Sequence, residues 1–224
     1  DFKYGKLYQW GRKYGQGYES DVHNVPGPVA LFEGQAKDKE DCFYTIGSAP
    51  YDWLDYPCDN LWNQGNEENP VKSEYDPCPD GWRVPTYAEL GTLRQNRSSW
   101  SINEIGQHGF WYCGSDSYSE NVLQVFLSAS GYCGSDGVYT NIENTGYYWT
   151  SLFSPSVSSY ALRFGYNFEF FGGVITRSNG YSVRCVRDDS ELIPIESIAL
   201  DHTYLVVYAD QGEAFFLDAT ISPA

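Results

Sequence analysis

Methionine is absent from all 224 residues, position 1 included. On that ground the chain is expected to begin inside a longer gene product. Basic side chains are scarce: 14 Lys and Arg stand against 30 Asp and Glu, a net charge of −16. Such a surface repels phosphate backbones, which argues against nucleic acid as a partner. No apolar run approaches the roughly 18 residues of a membrane-spanning helix, and no N-terminal apolar stretch reads as a signal peptide. Histidine occurs three times, at His23, His108 and His202, in unlike contexts. There is no HExxH, no G-x-S-x-G and no CxxC. Zinc sites and hydrolytic triads are therefore not indicated, and no enzyme activity is expected. Carboxylates are numerous enough to supply an acid/base pair anywhere, so their count decides nothing.

What the chain does contain is aromatic. Twenty Tyr, seven Trp and 22 Gly suit strands and packed loops better than helical bundles. The six cysteines are an even count, which points to three disulfides and an oxidising, extracytoplasmic setting. In "DPCPDGWRVPTYAEL" (76–90), Thr86 and Glu89 have the spacing of a capping box, which predicts a helix from Tyr87 to about Arg97. Residues 1–18 alternate around Leu7, Gln9 and Trp10 and predict a short strand. From 19 to 80 the text is proline-rich and loop-like. Residues 110–190 carry short aromatic and β-branched runs that read as an antiparallel meander. The pentapeptide "YCGSD" occurs at 112–116 and 132–136 and predicts two turns that each begin with a cysteine. Composition shifts at about 190, where a boundary is placed.

Five blocks together resemble one family: "LYQWGRK" (7–13), "YDWL" with "DNLW" (51–62), "DPCPDGWRVPT" (76–86), "GYYWTS" (146–151) and "YSVRCVRD" (181–188). The family is the Fibrobacter succinogenes major paralogous domain, common in surface proteins of Bacteroidetes. "WRVPTYAEL" and "SVRCV" also resemble sulfatase-modifying-factor domains. The resemblance implies an α+β, C-type-lectin-like domain over 1–190 with long irregular loops and few helices, its N-terminal strand missing. Residues 191–224 resemble a linker and the first strands of a truncated bacterial Ig-like (group 2) module. The family pattern implies a Cys78–Cys185 bridge, which by loop entropy would stabilise by about 4–5 kcal/mol. Sequence alone permits fifteen connectivities; proximity and the family pattern favour Cys42–Cys58 and Cys113–Cys133 for the remainder, about 3 kcal/mol each. The sulfatase-modifying enzymes hold copper with a cysteine pair shortly upstream of the terminal "RC" block. Residues 134–184 contain no cysteine, so that activity is not carried over.

Segment 51–69 interleaves Trp53, Tyr56 and Trp62 with Asp52, Asp55, Asp59, Asn63 and Glu67. Aromatic faces that stack on sugar rings, beside carboxylates and amides that bond hydroxyls, make these eight residues the candidate ligand site. Framework packing of Trp53 and Trp62 competes with that reading. No cofactor is required, but Ca²⁺ held by Asp55, Asp59, Glu67 and Glu68 is the candidate metal, since it takes six to eight oxygens. The Glu-Pro-Asn and Trp-Asn-Asp triplets of sugar-binding C-type lectins are not matched by "ENP" (68–70) or "WNQ" (62–64). In "YNFEFFGG" (166–173), Phe168, Phe170 and Phe171 would form an apolar patch fit for a partner if exposed, but strand alternation, the favoured reading, would turn half of them into core. The expected function is a bacterial binding or adhesion module, secreted or anchored as a lipoprotein on the outer-membrane surface, that recognises glycan or surface protein without catalysis. The alternative is a structural or pilus-associated subunit that assembles with other surface proteins.

Overall fold

The structure is a computed structural model that describes residues 3–17, 22–94, 97–112, 124–154, 158–173 and 175–189, and the backbone of 195–200 and 219–223. The chain divides into two compact units, Asp1–Asp188 and Asp189–Ala224. Strands dominate, with two α-helices among the described residues. No described helix is long and apolar enough to cross a membrane.

The first unit begins with β1 (Leu7–Gln9), β2 (His23–Pro26), helix α1 (Leu31–Gly34), β3 (Cys42–Thr45), β4 (Trp82–Arg83) and helix α2 (Tyr87–Leu93). It continues with β5 (Ser101–Ile102), β6 (His108–Tyr112), β7 (Val125–Ser128), β8 (Tyr132–Cys133) and β9 (Tyr139–Thr140). Its last strands are β10 (Thr145–Ser154), β11 (Ser158–Gly165), β12 (Phe168–Phe171), β13 (Ile175–Thr176), β14 (Gly180–Ser182) and β15 (Val186–Arg187). The principal sheet runs β12-β11-β10-β14-β8-β9, with β1 joined to β14 and β13 to β11. Three smaller sheets surround it: β5-β6-β7, the parallel pair β2-β3, and β4-β15. In the second unit, β16 (Ile195–Leu200) pairs antiparallel with β17 (Ala219–Pro223).

A row of side chains crosses the principal sheet in register. Phe170 lies opposite Arg163, and Arg163 opposite Tyr147. The row continues through Tyr181, 4.9 Å from Tyr147, to Tyr132, 5.9 Å from Tyr181. Cross-strand aromatic pairs of this kind stabilise sheets and fix register.

Beneath the sheet, Trp10, Trp53, Trp62 and Trp149 are fully buried. Each indole N–H donates to a main-chain carbonyl: Trp10 to Thr150, Trp53 to Trp10, Trp62 to Arg12 and Trp149 to Tyr8, at 2.7–3.2 Å. Burying so large a ring costs little once its one donor is satisfied. Gly34 is required by close packing, because a Cβ there would sit 2.2 Å from a Trp53 ring carbon.

Two arginines are buried among these rings. Arg12 donates to the carbonyls of Gly34, Lys39 and Cys42, and its guanidinium lies 4.8 Å from the Tyr44 ring centroid. Burial pulls its pKa down to about 10. Arg177 donates to the carbonyls of Cys58, Ser154 and Ser158 and to the Asp59 carboxylate.

In the segment 76–90, Asp76 is the hub. Its Oδ1 accepts from the Cys78 N–H and from Lys72 Nζ, and its Oδ2 accepts from the Val84 N–H. The chain thereby turns so that Cys78 meets Cys185, and the disulfide forms across a separation of 107 residues. β4 pairs with β15 next to the bridge. The capping box is present, with Glu89 N–H donating to Thr86 Oγ1 and Thr86 N–H to Glu89 Oε2. Helix α2 ends at Leu93, one turn earlier than the expected Arg97.

The Cys42–Cys58 bridge is not formed; both are free thiols. Closeness in sequence fails here because each cysteine is held beside a different buried arginine, Cys42 by Arg12 and Cys58 by Arg177. Cys133 is likewise a free, buried thiol, while its expected partner Cys113 is not among the described residues. It opens the β8–β9 turn, where the Gly134 N–H donates to the Val138 carbonyl and the two strands stay paired. Cys113, the first "YCGSD" copy beyond Tyr112, and His202 lie outside the described residues.

Candidate binding site

Most of the polar side chains expected to contact a ligand from segment 51–69 are occupied within the protein. Trp53 stacks on Tyr44 at 6.3 Å, and Trp62 lies 5.5 Å from Trp10. Their faces are core, not platforms for a sugar. Asp52 is buried 3.7 Å from Arg177, and burial lifts its pKa above the ordinary carboxylate value. Asp59 binds Arg177 at 2.5 Å. Asn63 folds its own loop, accepting from the N–H groups of Gly65 and Val71. Glu67 accepts from the Ala88 N–H at 3.1 Å and so caps α2 from a distant loop. Asp55 accepts from the Tyr56 N–H at the surface, where Tyr56 is 81% exposed. Asp55, Asp59 and Glu67 are therefore directed to separate tasks rather than gathered, and Glu68 joins them in no group placed to hold a metal ion. Among the described residues, no group of three or more His, Cys, Asp or Glu side chains is placed to hold a metal ion.

A different concavity lies at the junction of the principal sheet with β5-β6-β7. It is a cleft of about 280 Å³, near the lower end of the ~300–1,000 Å³ of small-molecule sites. Tyr4, Lys6 and Tyr8 enter from the segment leading into β1; Gln107, Phe126 and Ser128 come from the smaller sheet; Tyr148 and Arg184 come from the strand region opposite. The Tyr148 hydroxyl donates to the Ser128 carbonyl at 3.0 Å and lies 3.2 Å from the Ser128 hydroxyl. Burial raises its pKa, so the phenol stays neutral in the physiological range. Tyr8 is raised too, first by burial and then by the charge of Asp76. Gln107 is held by Asn103, whose amide donates to Gln107 Oε1 at 2.6 Å. The Tyr4 hydroxyl donates to Glu143.

No Asp or Glu lines this cleft, whereas Lys6 and Arg184 both do. Neutral phenols, hydroxyls, an amide, ring faces and two cations make a surface for recognition. His23 and His108 are engaged elsewhere, with Asp41 and Trp100 respectively.

Sequence reading missed the cleft because its lining comes from five separated stretches with no shared local signal. In "YSVRCVRD" the arginine beside the cysteine is the available clue. Two further surfaces differ in kind. Arg94 and Arg97 both pair with Glu169, at 3.0 and 3.2 Å. Along β12, Phe171 packs on Tyr87 with ring centroids 4.2 Å apart, while Phe168 and Phe170 are 48% and 45% exposed. The expected alternation occurs there with two phenylalanines outward.

No family model, no curated protein and no solved structure matches this chain.

Proposed function

We propose that this chain is a non-catalytic, extracytoplasmic binding module of a bacterial surface protein, built on a C-type-lectin-like fold and recognising glycan or protein ligands. The observation that carries the reading is the cleft between β5-β6-β7 and the principal sheet, where ring faces, a held amide and hydroxyls converge on one concavity. Sugars are bound through such groups: aromatic faces meet apolar C–H surfaces, and amides and hydroxyls bond the hydroxyl groups. The disulfide between Cys78 and Cys185 agrees with an oxidising compartment. Ca²⁺ enters this reading as a condition to be tested.

A structural or assembly subunit is the second reading. Its support is β12, which ends the order of the principal sheet and presents Phe168 and Phe170 outward. An open strand edge is a template for a partner strand.

The test is a glycan-array screen of the purified protein, run with calcium and with EDTA. Binding to related sugars that is lost in a folded Tyr8→Ala variant supports recognition in the cleft. Loss in EDTA would add Ca²⁺. A blank array under both conditions overturns glycan binding and favours protein partners or assembly.

A further inference from the structure

The net charge of −16 suggests neutral or cationic partners, yet the cleft is locally of the opposite sign. Most described cations are committed inside the protein. Arg12 and Arg177 are buried, Arg83 is paired with Glu89 and Asp188, and Arg94 and Arg97 share Glu169. Lys3, Lys37 and Lys72 are paired with Glu143, Glu40 and Asp76. Arg184 is exposed, lines the cleft, and has no ion pair or hydrogen bond among the described residues.

Its position is fixed by what surrounds it. Ser182 closes β14 on one side, and on the other Cys185 is bonded to Cys78. A guanidinium held on a stapled backbone loses less freedom on binding than one on a loose loop. It presents a planar fork that matches a two-oxygen anion. The field of Arg184 already reaches Tyr148 in the cleft and favours the phenolate. The nearby carboxylates are engaged: Glu143 with Lys3 and the Tyr4 hydroxyl, and Asp76 with Lys72 and the main chain.

Resting on the glycan reading above, we propose that this cleft binds a single anionic sugar unit, carboxylated or sulfated, with Arg184 taking the anionic group. The ring of the sugar lies against Tyr8 and Phe126, and its hydroxyls meet Gln107 and Ser128. A long polyanion is disfavoured because the rest of the surface repels it. The ligand is a lone acidic residue, such as a terminal one, in an otherwise neutral chain.

The experiment titrates the full chain with three matched oligosaccharides: one ending in glucuronate, its neutral glucose counterpart, and a sulfated counterpart. Folding is monitored by near-ultraviolet circular dichroism. The expected result is binding of one or both anionic probes, weakened about tenfold or more by Arg184→Gln and less by Arg184→Lys. Preference between the carboxylated and sulfated probes identifies which oxyanion is taken. Binding of neutral and anionic probes with equal affinity overturns the role of Arg184 and leaves the binding-module reading standing. Anionic binding unchanged in Arg184→Gln also overturns it. No binding of any probe overturns both. Should Arg184→Gln not fold, the salt dependence of the wild-type chain decides: the anionic probe must weaken with added NaCl and the neutral one must not.

Discussion

Arg177 reaches across 118 residues of sequence to Asp59, with Nη2 and Oδ1 2.5 Å apart. The same guanidinium lies 3.7 Å from buried Asp52. This one side chain turns the acidic, aromatic loop after Tyr51 into framework. Replacing Arg177 with Ala leaves Asp52 as an uncompensated buried charge, and the expected loss is about 3–5 kcal/mol. Asp59 is itself partly exposed, so Asp59→Asn should cost at most about 1 kcal/mol. Urea unfolding of both variants measures the contrast. A wild-type midpoint for Arg177→Ala would remove the framework assignment.

The same packing makes a distinct claim about Trp53. Trp53→Ala should destabilise by about 3–5 kcal/mol, and any loss of ligand binding should follow the loss of fold. Gly34→Ala should cost about 1–3 kcal/mol, because the added methyl meets the indole. In the Trp53→Ala background that penalty should shrink, since the clash is gone. Thermal unfolding of the four proteins gives the coupling. Additive effects would mean that Gly34 and Trp53 do not share the space described.

How much of this was readable beforehand depends on the range of the interaction. The start of helix α2 was legible because Thr86 and Glu89 satisfy each other within one turn. So was β1, since alternation around Leu7 is local. Trp53 and Trp62 were ambiguous, because a sugar platform and a core plug are written with the same residues. Arg12 and Arg177 gave no signal, since arginine is ordinarily a surface residue. The partners of Arg12 are main-chain carbonyls, which have no signature in sequence, and the carboxylates of Asp52 and Asp59 lie more than a hundred residues from Arg177. The Cys78–Cys185 bridge follows from the family pattern; the Cys42–Cys58 pairing does not form, because closeness in sequence is not closeness in space. The setting of Glu67 in sequence suits a metal or ligand group, while its use at Ala88 depends on a fold that brings two distant segments together.

The free thiols should differ in reactivity. Cys58 is half-buried, whereas Cys42 and Cys133 are buried. Burial pushes the Cys133 pKa up to about 12, with the charge of Asp136 adding to it. Burial raises Cys42 as well. Since the thiolate is the reacting form, iodoacetamide on the native protein at mild alkaline pH should label Cys58 first. Cys42 and Cys133 should react after unfolding without reductant, and Cys78 and Cys185 only after reduction. Peptide mass spectrometry reads the order, and a Cys42–Cys58 cross-linked peptide would contradict the structure.

Two glutamates at the start of helix α2 should respond to pH in opposite directions. Burial pulls the Glu89 pKa upward, but bonds from Arg83 and Thr86 outweigh it and leave the value below that of a free glutamate. A lowered pKa contributes stability that is complete above the unfolded value of about 4.3 and is lost as pH falls through the folded value. The stability difference between wild type and Glu89→Gln should therefore shrink on acidification below about pH 4. Glu67 is shifted the other way: burial raises it, and its Oε1 has no hydrogen-bond partner. Its ionised form is penalised in the fold, so stability is lost as pH rises from the unfolded value through the raised one. Glu67→Gln keeps an oxygen for the Ala88 N–H and removes that penalty. It should gain on wild type as pH rises from about 4 toward neutrality. Urea midpoints of the three proteins at pH 3.5, 5 and 7 test both signs, and parallel curves would mean that neither carboxylate is perturbed by the contacts at this helix start.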